Sequence, residues 1–253
     1  MQKTLLGLCA ALFFATLPVR ADDFDSAGVK IHYIVEGAGQ PVILIHGLYA
    51  SAEMNWGFNG VIGELTRHYR VIALDCRGHG ASDKPANEGD YGIKMVDDVV
   101  RLMDHLNVQS ANIVGYSMGG MIGLKLAVTH PDRVHSLVLG GMGMMKEGSP
   151  LQQVWENMGG RKALAKGANP AALLHGFPEF AVTEDQVRAL KIPISVVVGE
   201  KDPCRAMYVA PLLEIRPEIP VQVVPGVGHI ACVLKPEFKT DIDAALSKNL
   251  ASR

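Results

Sequence analysis

Ile113-Val114-Gly115-Tyr116-Ser117-Met118-Gly119-Gly120 is the stretch on which the fold turns. The apolar run Ala111 to Val114 reads as a buried strand that stops at Gly115. Met121 to Val128 then continues in a helical pattern. Between them, Gly115-Tyr116-Ser117-Met118-Gly119 matches Gly-x-Ser-x-Gly. A strand that passes straight into a helix crowds its own backbone, and residues without a Cβ relieve the crowding. Such a turn lifts the Ser117 hydroxyl clear of the sheet and sets it near a helix N-terminus, where developing negative charge is favoured. Five residues alone also fit a glycine-rich turn with an incidental serine, so the neighbouring segments decide.

Those segments alternate. Gly28 to Val35 alternates as a strand does. Pro41-Val-Ile-Leu-Ile45 is continuously apolar, the mark of a strand buried on both faces, and it ends in His46-Gly47-Leu48. Arg70 to Asp75, Val134 to Leu139, Ile194 to Val198 and Val221 to Val224 read as further strands. Helical spacing appears over Gly60–His68, Tyr91–Leu106, Ala206–Ile215 and Pro236–Leu246. Strands alternating with helices predict a mostly parallel central sheet with helices on both faces. From Gly143 to Leu190 the strand signal vanishes and short helical pieces replace it, which predicts a small helical cap inserted in the domain.

In open sheets of this kind ligands bind beyond the carboxyl ends of the strands. Four suspicious segments lie at such ends: His46-Gly47, the turn at Ser117, Gly199-Glu-Lys-Asp202 and Gly226-Val-Gly-His229. A serine hydroxyl needs a base to take its proton, and the base needs a group to orient it. His229, in a glycine-flanked loop after the last strand, is the expected base. His130 precedes Pro131 at a helix end, and His68, His105, His135 and His175 lie inside regular patterns. Asp202 is the expected orienting acid, with Glu200 as its rival. His46 is expected to support its loop rather than move protons. Arg77, His79 and Ser82 read first as a fixed turn. His46, His79 and Asp75 are scattered over two loops without ligand spacing, so no metal is expected. Neither is a nucleotide cofactor, for no Gly-x-Gly-x-x-Gly follows the first strand.

The order Ser117, Asp202, His229 is that of the α/β-hydrolases. The chain resembles that fold family, in its single-domain serine esterase-like group, over roughly Gly28 to Leu246. The resemblance extends to His46-Gly47 after the family's third strand. It includes Asp75-Cys-Arg-Gly-His-Gly-Ala-Ser82, similar to the family's D-x-R-G-x-G-x-S turn. It implies an oxyanion hole built from the backbone N–H groups of Met118 and Leu48. A serine at the elbow argues against the family's haloalkane dehalogenases and epoxide hydrolases, which use aspartate there. What it implies first is hydrolysis of small carboxylic esters through an acyl-enzyme. The same triad in other members cleaves carbon–carbon bonds of diketones, hydrolyses lactones or amides, or performs cofactor-free perhydrolysis, and a few members act as small-molecule receptors. Tyr49 and Tyr116 flank the expected oxyanion loop and nucleophile and are candidates to shape a substrate pocket. Met142, Met144 and Trp155, at the start of the insertion, are candidates to line it or simply to pack cap against core.

The 253 residues are 48% hydrophobic and carry a net charge of −2, which suits one globular domain and gives no support for a nucleic-acid partner. Lys3 precedes an apolar stretch from Leu5 to Leu17, and Val19-Arg20-Ala21 puts small residues before a cut. This pattern predicts a secretory signal peptide over 1–21, cleaved after Ala21, and a secreted or periplasmic domain over 22–253. The apolar run is too short to span a bilayer, so no stable membrane insertion is expected after cleavage. Export would expose Cys76, Cys204 and Cys232 to oxidation. Loops that join Asp202 to His229 would bring Cys204 and Cys232 together, and the sequence leaves open whether they pair or stay thiols. Cys76 is expected to remain a thiol. Substrate identity and oligomeric state are not legible.

Overall fold

The computed structural model describes residues 20–149 and 170–251. Eight strands form one sheet: β1 (Arg20–Ser26), β2 (Val29–Glu36), β3 (Gln40–Ile45), β4 (Tyr69–Leu74), β5 (Ala111–Tyr116), β6 (Val134–Gly140), β7 (Ile194–Gly199) and β8 (Val221–Val224). Their order across the sheet is β1-β2-β4-β3-β5-β6-β7-β8. The β1–β2 and β2–β4 pairs are antiparallel; all others are parallel.

The continuous apolar runs have the expected cause. Ile43 and Ile45 of β3 enter one hydrophobic layer while Val42 and Leu44 enter the other, and all four are fully buried. Val138 and Val197 follow the second layer, with their neighbours Leu137, Leu139, Val196 and Val198 in the first. Each fully buried aliphatic side chain contributes roughly 1.5–3 kcal/mol, so strands loaded on both faces hold the sheet centre firmly. The first layer is covered by α2 (Ile93–His105) and α3 (Met118–Thr129), which bury Met95, Val96, Val99, Leu102 and Met103, and Met121 and Ile122 respectively. The second is covered by α1 (Val61–Leu65) and α8 (Pro236–Ala251), whose Phe238, Ile242, Ala245 and Leu246 fall at helical spacing.

β1 lies outside the strands expected from sequence. It pairs with β2 through the two-residue turn Ala27-Gly28, both at positive φ, 55° and 85°, as a tight hairpin requires. The strand includes Arg20 and Ala21, opposite Val35 and Ile34, so the sheet begins two residues before the expected domain start.

In its described parts the segment between β6 and β7 runs as coil and turn over 141–149 and then carries α4 (Pro170–His175) and α5 (Glu184–Ala189). Ala172, Leu173, Phe177, Phe180, Val182 and Val187 join the first layer rather than a core of their own. Contacts to α2 and α3 help dock it: Glu179 Oε2 accepts from Ile93 N at 2.8 Å, and Lys125 Nζ donates to Ala181 O at 3.0 Å. The remaining helices, α6 (Ala210–Ile215) and the short α7 (His229–Cys232), flank β8. No helix of the described residues is long and apolar enough to cross a membrane.

Candidate active site

Ser117 stands between β5 and α3 at φ 53° and ψ −113°, a region that L-residues rarely occupy. Its surroundings enforce that conformation. A Cβ on Gly119 would lie 1.9 Å from Ile45 O, and one on Gly115 would lie 2.1 Å from Gly119 O. The glycines of the motif are therefore needed for the helix to start against the end of β3. Ser117 N donates to Gly140 O at 2.8 Å, which ties the turn to β6.

His229 opens α7 after the extended Gly228, and its Nε2 lies 2.9 Å from Ser117 Oγ. Its Nδ1 lies 2.8 Å from Asp202 Oδ2. A neutral imidazole with its proton on Nδ1 donates to the carboxylate and presents the Nε2 lone pair to the serine. Asp202 is buried, and its Oδ1 accepts from Cys204 N at 2.8 Å. Glu200, the rival acid, turns away: its Oε2 accepts from Gly226 N at 2.7 Å in an exposed turn. The loops after β7 and β8 are laced by Lys201 N donating to Val227 O at 2.9 Å, which carries Asp202 to His229.

The loop after β3 borders the nucleophile. A Cβ on Gly47 would approach Ser117 Cβ to 3.5 Å, so Leu48 follows directly beside the serine. His46 is fully buried and holds this loop, its Nδ1 donating to Gly47 O at 2.7 Å and its Nε2 accepting from Cys76 N at 3.0 Å. Burial lowers the pKa of His46 and keeps it neutral, as a supporting role requires. His79 packs edge-on against it at 5.0 Å between ring centroids. Burial, and then the neighbouring His46, push the His79 pKa down to about 3. Asp75 joins the two loops by accepting from Ala52 N and Ala81 N, both at 2.7 Å. Arg77 reaches the other way, in a buried pair of contacts at 2.6 Å with Asp98 of α2, and Ser26 of β1 donates to the same carboxylate.

The expected pocket residues fare unevenly. Tyr116 does not face a pocket. It lies in the layer under α1 and α8, its hydroxyl donating to the backbone carbonyl of His229 and its ring 5.4 Å from the imidazole. Period-two alternation along β5 puts it on the face of Val114, opposite Ile113. Met142 and Met144 are buried within the first layer, where Met142 abuts Gly120 and Met144 N donates to Tyr208 O. Tyr49 is half-buried at φ 59°, its ring 6.2 Å from His79. Trp155 lies outside the described residues.

Two contributors had no motif to announce them. Asn55 is buried and its Oδ1 accepts from Gly47 N at 2.9 Å, fixing the loop that carries Leu48. Cys204 sits against the acid, and ligand atoms of Asp202, Cys204 and His229 all lie within 4.8 Å of one another. Cys76, Cys204 and Cys232 are all free and buried, so the Cys204–Cys232 bridge does not form. Burial raises the pKa of each thiol, that of Cys232 to about 12, so none is a ready thiolate.

The family model described as the alpha/beta hydrolase fold matches residues 40–175, and the chain belongs to that family. A 2-hydroxy-6-oxo-6-(2'-aminophenyl)hexa-2,4-dienoic acid hydrolase of Metapseudomonas resinovorans is 43% identical over 126 residues, 49% of this chain and 43% of that protein. A 2-hydroxymuconate semialdehyde hydrolase of Pseudomonas sp. (strain CF600) is 34% identical over 198 residues, 74% of this chain and 65% of that protein. The chain thus spans less than two thirds of the length of either relative. Among solved structures, a serine hydrolase involved in carbazole degradation superposes with a TM-score of 0.67 at 26% identity, covering 93% of this chain and all of that one.

Proposed function

We propose that the protein is a serine hydrolase that cleaves a carbon–carbon bond next to a ketone, in an enol- or keto-substituted unsaturated acid. The hydrogen-bonded line Ser117–His229–Asp202 carries the hydrolase reading. The carbon–carbon reading draws its support from the two relatives named for oxo-dienoic acid and semialdehyde hydrolysis, which favour it over the ester substrate first expected from sequence. His229 takes the Ser117 proton as Oγ adds to the substrate carbonyl. Asp202 stabilises the imidazolium. The backbone N–H groups of Met118 and Leu48 receive the oxyanion, each contributing about 3 kcal/mol. Collapse expels carbon as an enolate, delocalised onto the substrate's second carbonyl, and a proton from His229 quenches it. Water, activated by the same histidine, then releases the acyl group.

A simple ester has the same electrophilic carbonyl but needs no second carbonyl to stabilise its leaving group. The test compares 2-hydroxy-6-oxohexa-2,4-dienoates bearing methyl or phenyl at carbon 6 with p-nitrophenyl esters of rising acyl length. The dienoates lose their visible absorbance on cleavage. Their kcat/KM is expected to exceed that of the best ester by at least about tenfold, since the leaving-group contacts act only on them. Faster esters with inert dienoates overturn the carbon–carbon reading and leave the ester one. We also propose export of the protein, on the signal-like segment before Asp22.

A further inference from the structure

We propose that Asp202, Cys204 and His229 form a binding site for one thiophilic divalent cation of the Zn²⁺ type, whose occupation disarms Ser117. A carboxylate oxygen, a thiol sulfur and an imidazole nitrogen are the donor types such ions select. Here all three lie within 4.8 Å of one another. Around tetrahedral zinc, sulfur at about 2.3 Å and nitrogen at about 2.0 Å stand about 3.5 Å apart, so small side-chain shifts set the donors around one ion. Cys204 is in no disulfide and is buried beside Asp202. Asp202 Oδ1 is already anchored by Cys204 N, which presents the carboxylate and its cysteine as one rigid unit. Oδ2 and His229 Nδ1, 2.8 Å apart, complete the set. Charge favours the site. One carboxylate and one thiolate neutralise the dication, so no net charge is buried.

Loading moves two protons. The Cys204 thiol proton leaves to solvent as the metal–sulfur bond forms. The imidazole proton shifts from Nδ1 to Nε2 as Nδ1 takes the metal, so one proton is released per cation. The consequence falls on the nucleophile. Nε2, 2.9 Å from Ser117 Oγ, becomes a donor and no longer accepts the serine proton. Binding does not depend on the substrate; the loss of reactivity rests on the triad reading above. The site uses none of His46, His79 or Asp75, which the sequence reading set aside as too scattered to hold a metal.

The experiment titrates the full chain with Zn²⁺ and follows two signals. The first is the rate at which a fluorophosphonate labels Ser117, read relative to each protein's own metal-free rate. The second is zinc-edge X-ray absorption on the parent protein with one equivalent bound. The parent is expected to slow at least about tenfold, to recover with a chelator, and to show one sulfur at about 2.3 Å among nitrogen and oxygen neighbours. Cys204→Ala is expected to need at least about tenfold more Zn²⁺ for the same slowing, because the thiolate ligand is gone. Cys232→Ser is expected to respond as the parent does. An absorption spectrum without sulfur, or one in which Cys232 accounts for the sulfur, overturns the site whatever the variants do. Slowing that is equal in Cys204→Ala and the parent also overturns it. A sulfur-bound metal with undiminished labelling refutes the disarming but leaves the site, and failure of both probe labelling and turnover in metal-free protein refutes the triad instead.

Discussion

Ser117 sits at positive φ because two glycines and the end of β3 leave it no other conformation. Strain of this kind costs on the order of 1–3 kcal/mol, and the surrounding packing sustains it where it aims a side chain. Ser117→Ala keeps that backbone and removes only the nucleophile. It is expected to lower kcat by on the order of 10⁴-fold with little change in melting temperature, leaving the residual rate of binding and oxyanion contacts. Full turnover in the variant, measured on the preferred substrate, would exclude the mechanism. The acids separate as cleanly. Asp202→Asn replaces the charged acceptor of the Nδ1 proton and is expected to cost on the order of 10³–10⁴-fold in kcat. Glu200→Gln changes an exposed contact with Gly226 N and is expected to cost less than about threefold. The reverse ranking would move the acid to Glu200. The hydrogen-bonded line of Ser117, His229 and Asp202 was legible in the sequence, because a serine nucleophile would impose residue types at fixed places. Asn55 was not, because it acts through space on the loop that carries Leu48, with no spacing to announce it. Tyr116 was misplaced because its nearness to Ser117 in the chain says nothing of which face of β5 it occupies.

At the scale of elements, the other seven strands announced themselves by apolar runs or alternation, whereas β1 did not. Asp22, Asp23 and Asp25 break its apolar pattern, and only Phe24 and Ser26 turn inward to burial. Charges on a sheet edge are how such strands avoid pairing with other molecules, so the feature that hides β1 from periodicity belongs to its position. β1 also matters to the site. Ser26 and Arg77 share the Asp98 carboxylate, which couples the edge strand through α2 to the turn after β4. Cleavage after Ala21 removes Arg20 and Ala21, whose partners are Val35 and Ile34, and spares the five residues that end at Ser26. A mature chain beginning at Asp22 is therefore expected to keep the stability of a chain beginning at Arg20 within about 1 kcal/mol, since the two residues removed are exposed. A chain beginning at Ala27 loses the Ser26 contact and the Phe24 packing and is expected to fall by about 3 kcal/mol or more. Urea unfolding of the three chains checks both numbers. Equal stability at Ala27 would mean that β1 is dispensable.

For the molecule as a whole, the loops that build the site also make folding sensitive to acid. His46 and His79 are buried together beneath the oxyanion loop, and desolvation holds both below the ordinary histidine value, His79 at about 3 against 6.5. The unfolded chain takes up these protons first. Stability linked to His79 is therefore complete above about pH 6.5, declines as pH falls below it, and stops declining near pH 3, where the folded ring also protonates. Within that window the loss is about 1.4 kcal/mol per pH unit for a single histidine. Carboxylates held low by ion pairs add losses of the same sign, so the total slope cannot be assigned to one group. A difference between proteins can. His79→Gln fills much of the space without a titrating group, and its unfolding free energy is expected to fall less steeply than the parent's between pH 6 and pH 4, by about 1 kcal/mol per unit. The variant starts lower at pH 7, having lost the ring contact with His46, and the two curves converge as pH drops. Urea denaturation at pH 7, 6, 5 and 4 measures both lines. Parallel lines would mean that His79 is protonated alike in the folded and unfolded chains, and that the pair beneath the oxyanion loop plays no part in acid sensitivity.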